Sequence, residues 1–203
     1  MDEQAGRKTR LTIDLLERVV LVALYIWLCY RIIGNLDKSP LNALFMVAEG
    51  TVAVLILFRK ATDQISVRAR DWFIGFAGAM LPLLIMPSGG GVWSGATLLM
   101  AGMIISLWAK LNLWRSFGVV AANRGIKRAG IYGAVRHPMY LGYFLSNIGV
   151  LMLNPSWFNA GLLALWSLFQ LARIQAEERV LMLDPVYQAH AEKVRYRLLP
   201  KVY

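Results

Sequence analysis

The chain has 203 residues, of which 58% are hydrophobic and only 17% charged. That composition excludes an ordinary soluble domain and points to a chain that is mostly membrane. A net charge of +10 would suggest nucleic acid in a soluble protein, but here the distribution of the basic residues gives a different answer.

The amino-terminal "MDEQAGRKTR" is basic enough for a signal sequence, yet the apolar run after it, Leu15 to Ile33, is long and no small-residue cleavage pattern ends it. It reads as a retained first span. The only cysteine, Cys29, lies inside it, which excludes a disulfide framework and a CxxC metal site. Further apolar runs follow at Leu41 to Phe58, Trp72 to Met86, Val92 to Ala109, Met139 to Leu153 and Ser156 to Ala172. A bilayer core takes roughly 20 helical residues, or about 17 at the short end, so the third and fifth runs are marginal and the other four are full spans. The expected fold is all-α, a polytopic transmembrane helix bundle of five to six spans.

If the amino terminus is cytoplasmic and all six runs cross, every one of the 22 Lys and Arg residues except Arg31 and Lys38 lies on the cytoplasmic side. This positive-inside bias places both termini in the cytoplasm of an integral membrane protein, and a bacterial inner membrane is the expected location. The partner of the basic excess is then the anionic headgroups of the bilayer, and no nucleic acid is expected. The glycine-rich "GGGVWSG" reads as a tight outer turn, because it joins two spans with no strand before it. Gly102 and Ser106, four apart in the fourth span, predict close packing against another helix.

The outer loops are tiny and the inner ones large, especially Leu111 to Pro138 and Gln175 to Tyr203, so the chemistry is expected on the inner face. In "GIYGAVRHPMYLGY", Pro138 suits the first turn of the fifth span, where its missing N–H costs nothing. His137 then lies at the helix entrance, where the dipole favours an anionic group. In "LARIQAEERVL", Arg173 and Glu177 are four residues apart and share a helix face. By spacing alone they serve equally as a surface ion pair or as a functional pair facing the bundle interior.

Together these segments, with "DPVYQAHAEKVRYRLLP" after them, resemble the isoprenylcysteine carboxyl methyltransferase and phospholipid methyltransferase superfamily of integral membrane enzymes. The pattern is G-x-Y-x-x-V-R-H-P-x-Y-x-G, a helical hairpin, R-x-x-x-E-E, a tyrosine-bearing helix and a closing R-x-x-P, over about Leu113 to Pro200. The resemblance implies N-terminal membrane helices over residues 1–110 and a methyltransferase core over 111–203. It implies S-adenosylmethionine as methyl donor, held in a cytosolic pocket formed by the loop before span 5 and the C-terminal helices. Tyr132, Arg136, His137, Tyr140 and Gly142 would form one wall, and Glu178, Tyr187 and Arg197 the other. Arg173 and Glu177 match the residues that position the acceptor, a lipid or lipophilic small molecule carrying an amine, a carboxylate or a thiol. No metal is expected, since His137 and His190 lack a cluster of further ligands. His190 stands where many members have a second tyrosine, and Asp184-Pro185 where a glycine often precedes the first.

Two other readings compete. Membrane sterol and steroid reductases share an RHP-like segment and use NADPH, but the chain shows no obvious dinucleotide fingerprint. A transporter or assembly factor would place ionisable groups near mid-membrane, where only Glu49 stands.

Overall fold

The computed structural model describes residues 2–33, 51–52, 54–86, 88 and 91–200. Its helices are α1 (Asp2–Ile33), α2 (Ala69–Met80), α3 (Ser94–Leu113), α4 (Pro138–Leu153), α5 (Trp157–Leu181) and α6 (Pro185–Lys193). Residues 54–58 are also helical, and a 3-10 turn, Leu81–Leu84, prolongs α2. The one β feature among the described residues is an isolated antiparallel bridge between Ile65 and Ala122. The all-α expectation holds.

The number of crossings is a separate matter. Among the described residues, one helical stretch, Ser94–Ser116, is long and apolar enough to cross a membrane by length and composition. Helix α4 is apolar but has 16 residues. At 1.5 Å per residue it spans about 24 Å, short of a ~30 Å hydrocarbon core. Helix α1 begins well before the first apolar run, and Glu17 and Arg18 interrupt its apolar stretch. Most of the second run, including Glu49, lies outside the described residues.

Helices α3 and α4 form the tightest pair. A Cβ added at Gly102 would stand 2.4 Å from Ser146 N and 2.5 Å from Gly142 O, and one at Gly142 would stand 2.5 Å from Ser106 N. Backbone thus meets backbone, as the Gly102–Ser106 spacing predicts. This close approach of small residues supplies the packing between the two helices. Gly102→Val is therefore expected to cost about 1–3 kcal/mol by overpacking, read as a lower thermal midpoint in detergent. Gly161→Val, at an exposed site with nothing within 4 Å of its Cβ, should leave the midpoint in place.

Helix α5 runs beyond its apolar part and carries Arg173, Glu177 and Glu178 in its last three turns. Its start is fixed by Ser156, whose hydroxyl accepts a hydrogen bond from Asn159 N. It is held to α2 where Trp166 Nε1 and Gln170 Nε2 both donate to Gly78 O, at 2.9 and 2.8 Å. The buried core gathers Ala109, Phe117, Val119, Tyr132, Met139, Tyr140, Ile174 and Leu198, and so sits at the end of the bundle bearing the loop between α3 and α4. Elsewhere the helices turn large apolar side chains outward, among them Leu16 and Ile26 on α1, Phe73 on α2, Ile104 and Trp108 on α3 and Leu168 on α5.

Candidate functional site

Glu178 is the hub of the site. Its carboxylate accepts hydrogen bonds from Arg136 Nη2 at 3.2 Å, His137 Nε2 at 3.1 Å, Tyr187 Oη at 3.2 Å and Arg197 Nε at 2.6 Å. Arg136 Nε also lies 2.8 Å from Oε1, close enough for ion pairing but without the angle of a hydrogen bond. Burial works to raise this carboxyl, but hydrogen bonds from His137 and Arg197 and the charges of His137 and Arg136 outweigh it and hold it at about 2. The backbone completes the junction: Arg136 N donates to Tyr196 O at 3.0 Å and His137 N to Arg197 O at 2.8 Å. Three segments distant in sequence are thus tied at one carboxylate.

The local reasons are visible in each segment. Pro138 occupies the first turn of α4 and His137 is its N-cap residue, as the sequence predicts. The anionic groups beside His137 are the protein's own, since its Nδ1 faces Glu177 Oε2 at 3.8 Å while Nε2 meets Glu178. The Asp184-Pro185 departure has a structural account: Asp184 caps α6, accepting from Val186 N, and Pro185 is at its first turn. Asn123 Nδ2 also donates to Asp184, tying α6 to the loop between α3 and α4.

Next to the hub, Tyr140 is fully buried and donates to Glu177 Oε1. The guanidinium of Arg173 lies over the same ring, 5.4 Å from its centroid, and donates to Gln170 Oε1 and Val119 O. Arg173 and Glu177, which share a helix face, therefore meet through Tyr140 and form no direct ion pair. Along α4, His137, Tyr140 and Tyr143 stack edge-on at 5.7 and 6.0 Å, and Lys110 Nζ stands 5.1 Å over Tyr143. This aromatic row with cations on its faces is suited to positive charge.

A cleft opens beside the row, lined by Tyr132, Arg136, His137, Tyr140, Glu177 and Tyr187 from the predicted residues. Glu178 and Arg197 stand behind this lining and hold it. Arg173 reaches it through Tyr140, and Gly142 faces α3. His190 also lines the cleft, with its ring edge-on to Tyr187 at 6.0 Å. Burial, then Glu178 and Glu177 against the opposing charge of Arg136, push the Tyr187 phenol up; burial, then Glu177 and Tyr143, do the same at Tyr132. Both hydroxyls stay protonated, and they donate to Glu178 and to Ala109 O respectively. Sequence reasoning missed a further part of the lining, built from Gly118, Val120, Ala122 and Arg124. Its one signal is the density of small and basic residues in "GVVAANRGIKR".

The row on α4, the carboxylate pair on α5 and the tyrosine of α6 fall within one stretch of chain that has known relatives. Residues 91–189 match the phospholipid methyltransferase family. The match is consistent with the superfamily expected from the RHP and Arg-Glu-Glu motifs. The matched segment begins ahead of α3 and ends within α6. It includes every cleft residue named above except His190, while Arg197 and α1 lie outside it. No curated protein matches the chain.

Proposed function

We propose that this protein is an integral membrane methyltransferase that uses S-adenosylmethionine and methylates a membrane-embedded or amphipathic acceptor. The observation that carries the reading is the Glu178 junction, which joins the RHP segment, α5, α6 and the C-terminal tail around one cleft. The membrane setting is supported by the family match, by Ser94–Ser116 and by the outward apolar side chains of α1, α2, α3 and α5. In this reading the loop between α3 and α4 and the C-terminal tail face the cytosol, as the basic residues indicate.

The cleft lining fits the proposed donor. It combines apolar walls at Leu113, Val120, Met139 and Leu181, suited to a flat base, with Arg136, His137 and Glu177, suited to an amino acid's carboxylate and ammonium. When bound, S-adenosylmethionine supplies a methyl group on a positively charged sulfur. Tyr132, Tyr140 and Tyr187 line the cleft in which such a cation would be held. Glu177, with 20% of its side chain exposed, keeps an oxygen within reach of the cleft and can take the proton of an acceptor amine or thiol. Arg173 fixes the tilt of Tyr140 from behind. Aligning two partners in this way is worth up to about 7–11 kcal/mol of barrier.

Calorimetry on the detergent-purified protein tests the reading. S-adenosylhomocysteine is expected to bind and NADPH not to, and labelled methyl groups should pass from S-adenosylmethionine to a component of native lipid extract. Binding of NADPH alone, or no transfer to any lipid fraction, would overturn it.

A further inference from the structure

Two carboxyl and two guanidinium side chains form a buried cluster between α1 and the cleft lining. Asp14 and Glu17 lie three apart on α1, hence on one face, and are 1% and 0% exposed. Arg59 pairs with Asp14 at 3.2 Å and with Glu17 at 3.0 Å; Arg124 pairs with the same two at 2.6 and 3.1 Å. Two carboxylates face two guanidinium groups, so the quartet is neutral. Arg59 Nε and Nη1 and Arg124 Nε have no hydrogen-bond partner. An apolar contact would hold α1 at lower cost than an incompletely satisfied ion network, which argues that the network serves position more than stability.

Its contacts show what is positioned. Glu17 Oε1 accepts the backbone N–H of Val119 at 3.2 Å and of Val120 at 2.9 Å. On its other side, the Val119 carbonyl accepts from Arg173 Nη2 at 3.2 Å. From the segment Gly118 to Arg124, alternate residues line the cleft, and Arg124 belongs both to that lining and to the quartet. An unbroken path of charge-assisted bonds therefore runs from α1, through the Val119 backbone, to the guanidinium stacked on Tyr140.

We propose that Glu17, supported by Asp14, is a positioning residue for methyl transfer: it sets the 118–124 part of the cleft lining and, through Val119, the seat of Arg173. The proposal rests on the methyltransferase reading above, and it gives α1, outside the matched segment, a part in the reaction.

The test uses the full-length protein in detergent, with hydrogen exchange at 117–124, calorimetry with S-adenosylhomocysteine and the lipid transfer assay run together. Glu17→Gln keeps the shape and removes the charge; Glu17→Asp keeps the charge but withdraws it from the Val119 and Val120 amides. Both are expected to speed exchange of those amides about tenfold or more while α4 and α5 stay protected, to weaken S-adenosylhomocysteine at least tenfold and to slow transfer further. Asp14→Asn, which leaves the amide bonds in place, should give an intermediate effect and carries the test should the Glu17 variants not fold. Unchanged exchange at 117–124 would overturn the proposal, as would faster exchange with unchanged affinity and transfer. Failure of the unaltered protein to bind S-adenosylhomocysteine would instead remove the methyltransferase reading, and this proposal with it.

Discussion

Glu178→Ala is expected to abolish S-adenosylhomocysteine binding and to lower stability by about 3–5 kcal/mol, the cost of removing one partner from a buried ion pair. Arg136 and His137 are both buried, and each turns its charge or ring nitrogen to this carboxylate. Without it the guanidinium is uncompensated and the imidazole loses the acceptor that orients it. Glu178→Gln keeps one acceptor oxygen but loses the charge, and should fall between the two. The effect depends on pH with a definite sign. Because the folded protein holds Glu178 at about 2, below the ordinary 4.5, its contribution is fully present above 4.5 and is lost as pH falls toward 2. Thermal midpoints of wild type and Glu178→Gln should therefore converge over that window. His190 adds a separate acid loss. Burial, then the charges of Arg136, Arg128 and His137, hold its imidazole below the ordinary 6.5, so the unfolded chain takes up a proton first as pH drops through that value. The two losses are separable, since one begins near 6.5 and the other near 4.5.

Features set by local geometry were legible in the sequence. Pro138 at a helix start, the small residues at 102 and 106, and an Arg-Glu-Glu face on one helix follow from spacing along a single element, and each appears where expected. The orientation of a residue between two neighbours was not legible. Gly142 falls in the cofactor motif by position, yet its open side faces Ser106, because helical periodicity does not say which neighbour a face will meet. Arg173 and Glu177 have the spacing of an ion pair, but Tyr140 from the facing helix offers the carboxylate a donor and the guanidinium a ring. The α1 quartet was hidden for a further reason. Its contacts join α1 to residues more than forty and more than a hundred positions away, which no spacing along a single element shows. The crossings beyond Ser94–Ser116 stay part of the proposed function, because short apolar helices and a charged α1 do not meet the length and composition of a span by themselves.

The arrangement around Tyr140 predicts a division between binding and turnover. Arg173→Ala is expected to cut turnover about a hundredfold, the scale of a misplacement near 1 Å, while the affinity for S-adenosylhomocysteine stays within a few-fold. Arg173 does not line the cleft, so its loss removes no direct contact there; it frees the Tyr140 ring and the Val119 carbonyl. Arg173→Lys should not restore turnover, because an ammonium lacks the planar fork that covers a ring and bonds Gln170 and Val119 together. His137→Ala should show the opposite pattern, with weaker binding first, since His137 lines the cleft and is fixed by Glu178. Glu177 and Tyr140 share one hydrogen bond, so the turnover losses of Glu177→Gln and Tyr140→Phe should be less than additive in the double variant. Additive losses would mean that the two act on separate steps. Equal loss of affinity in the Arg173 and His137 variants would mean that the guanidinium holds the cofactor itself, and the seat on Tyr140 would then be a consequence of packing alone.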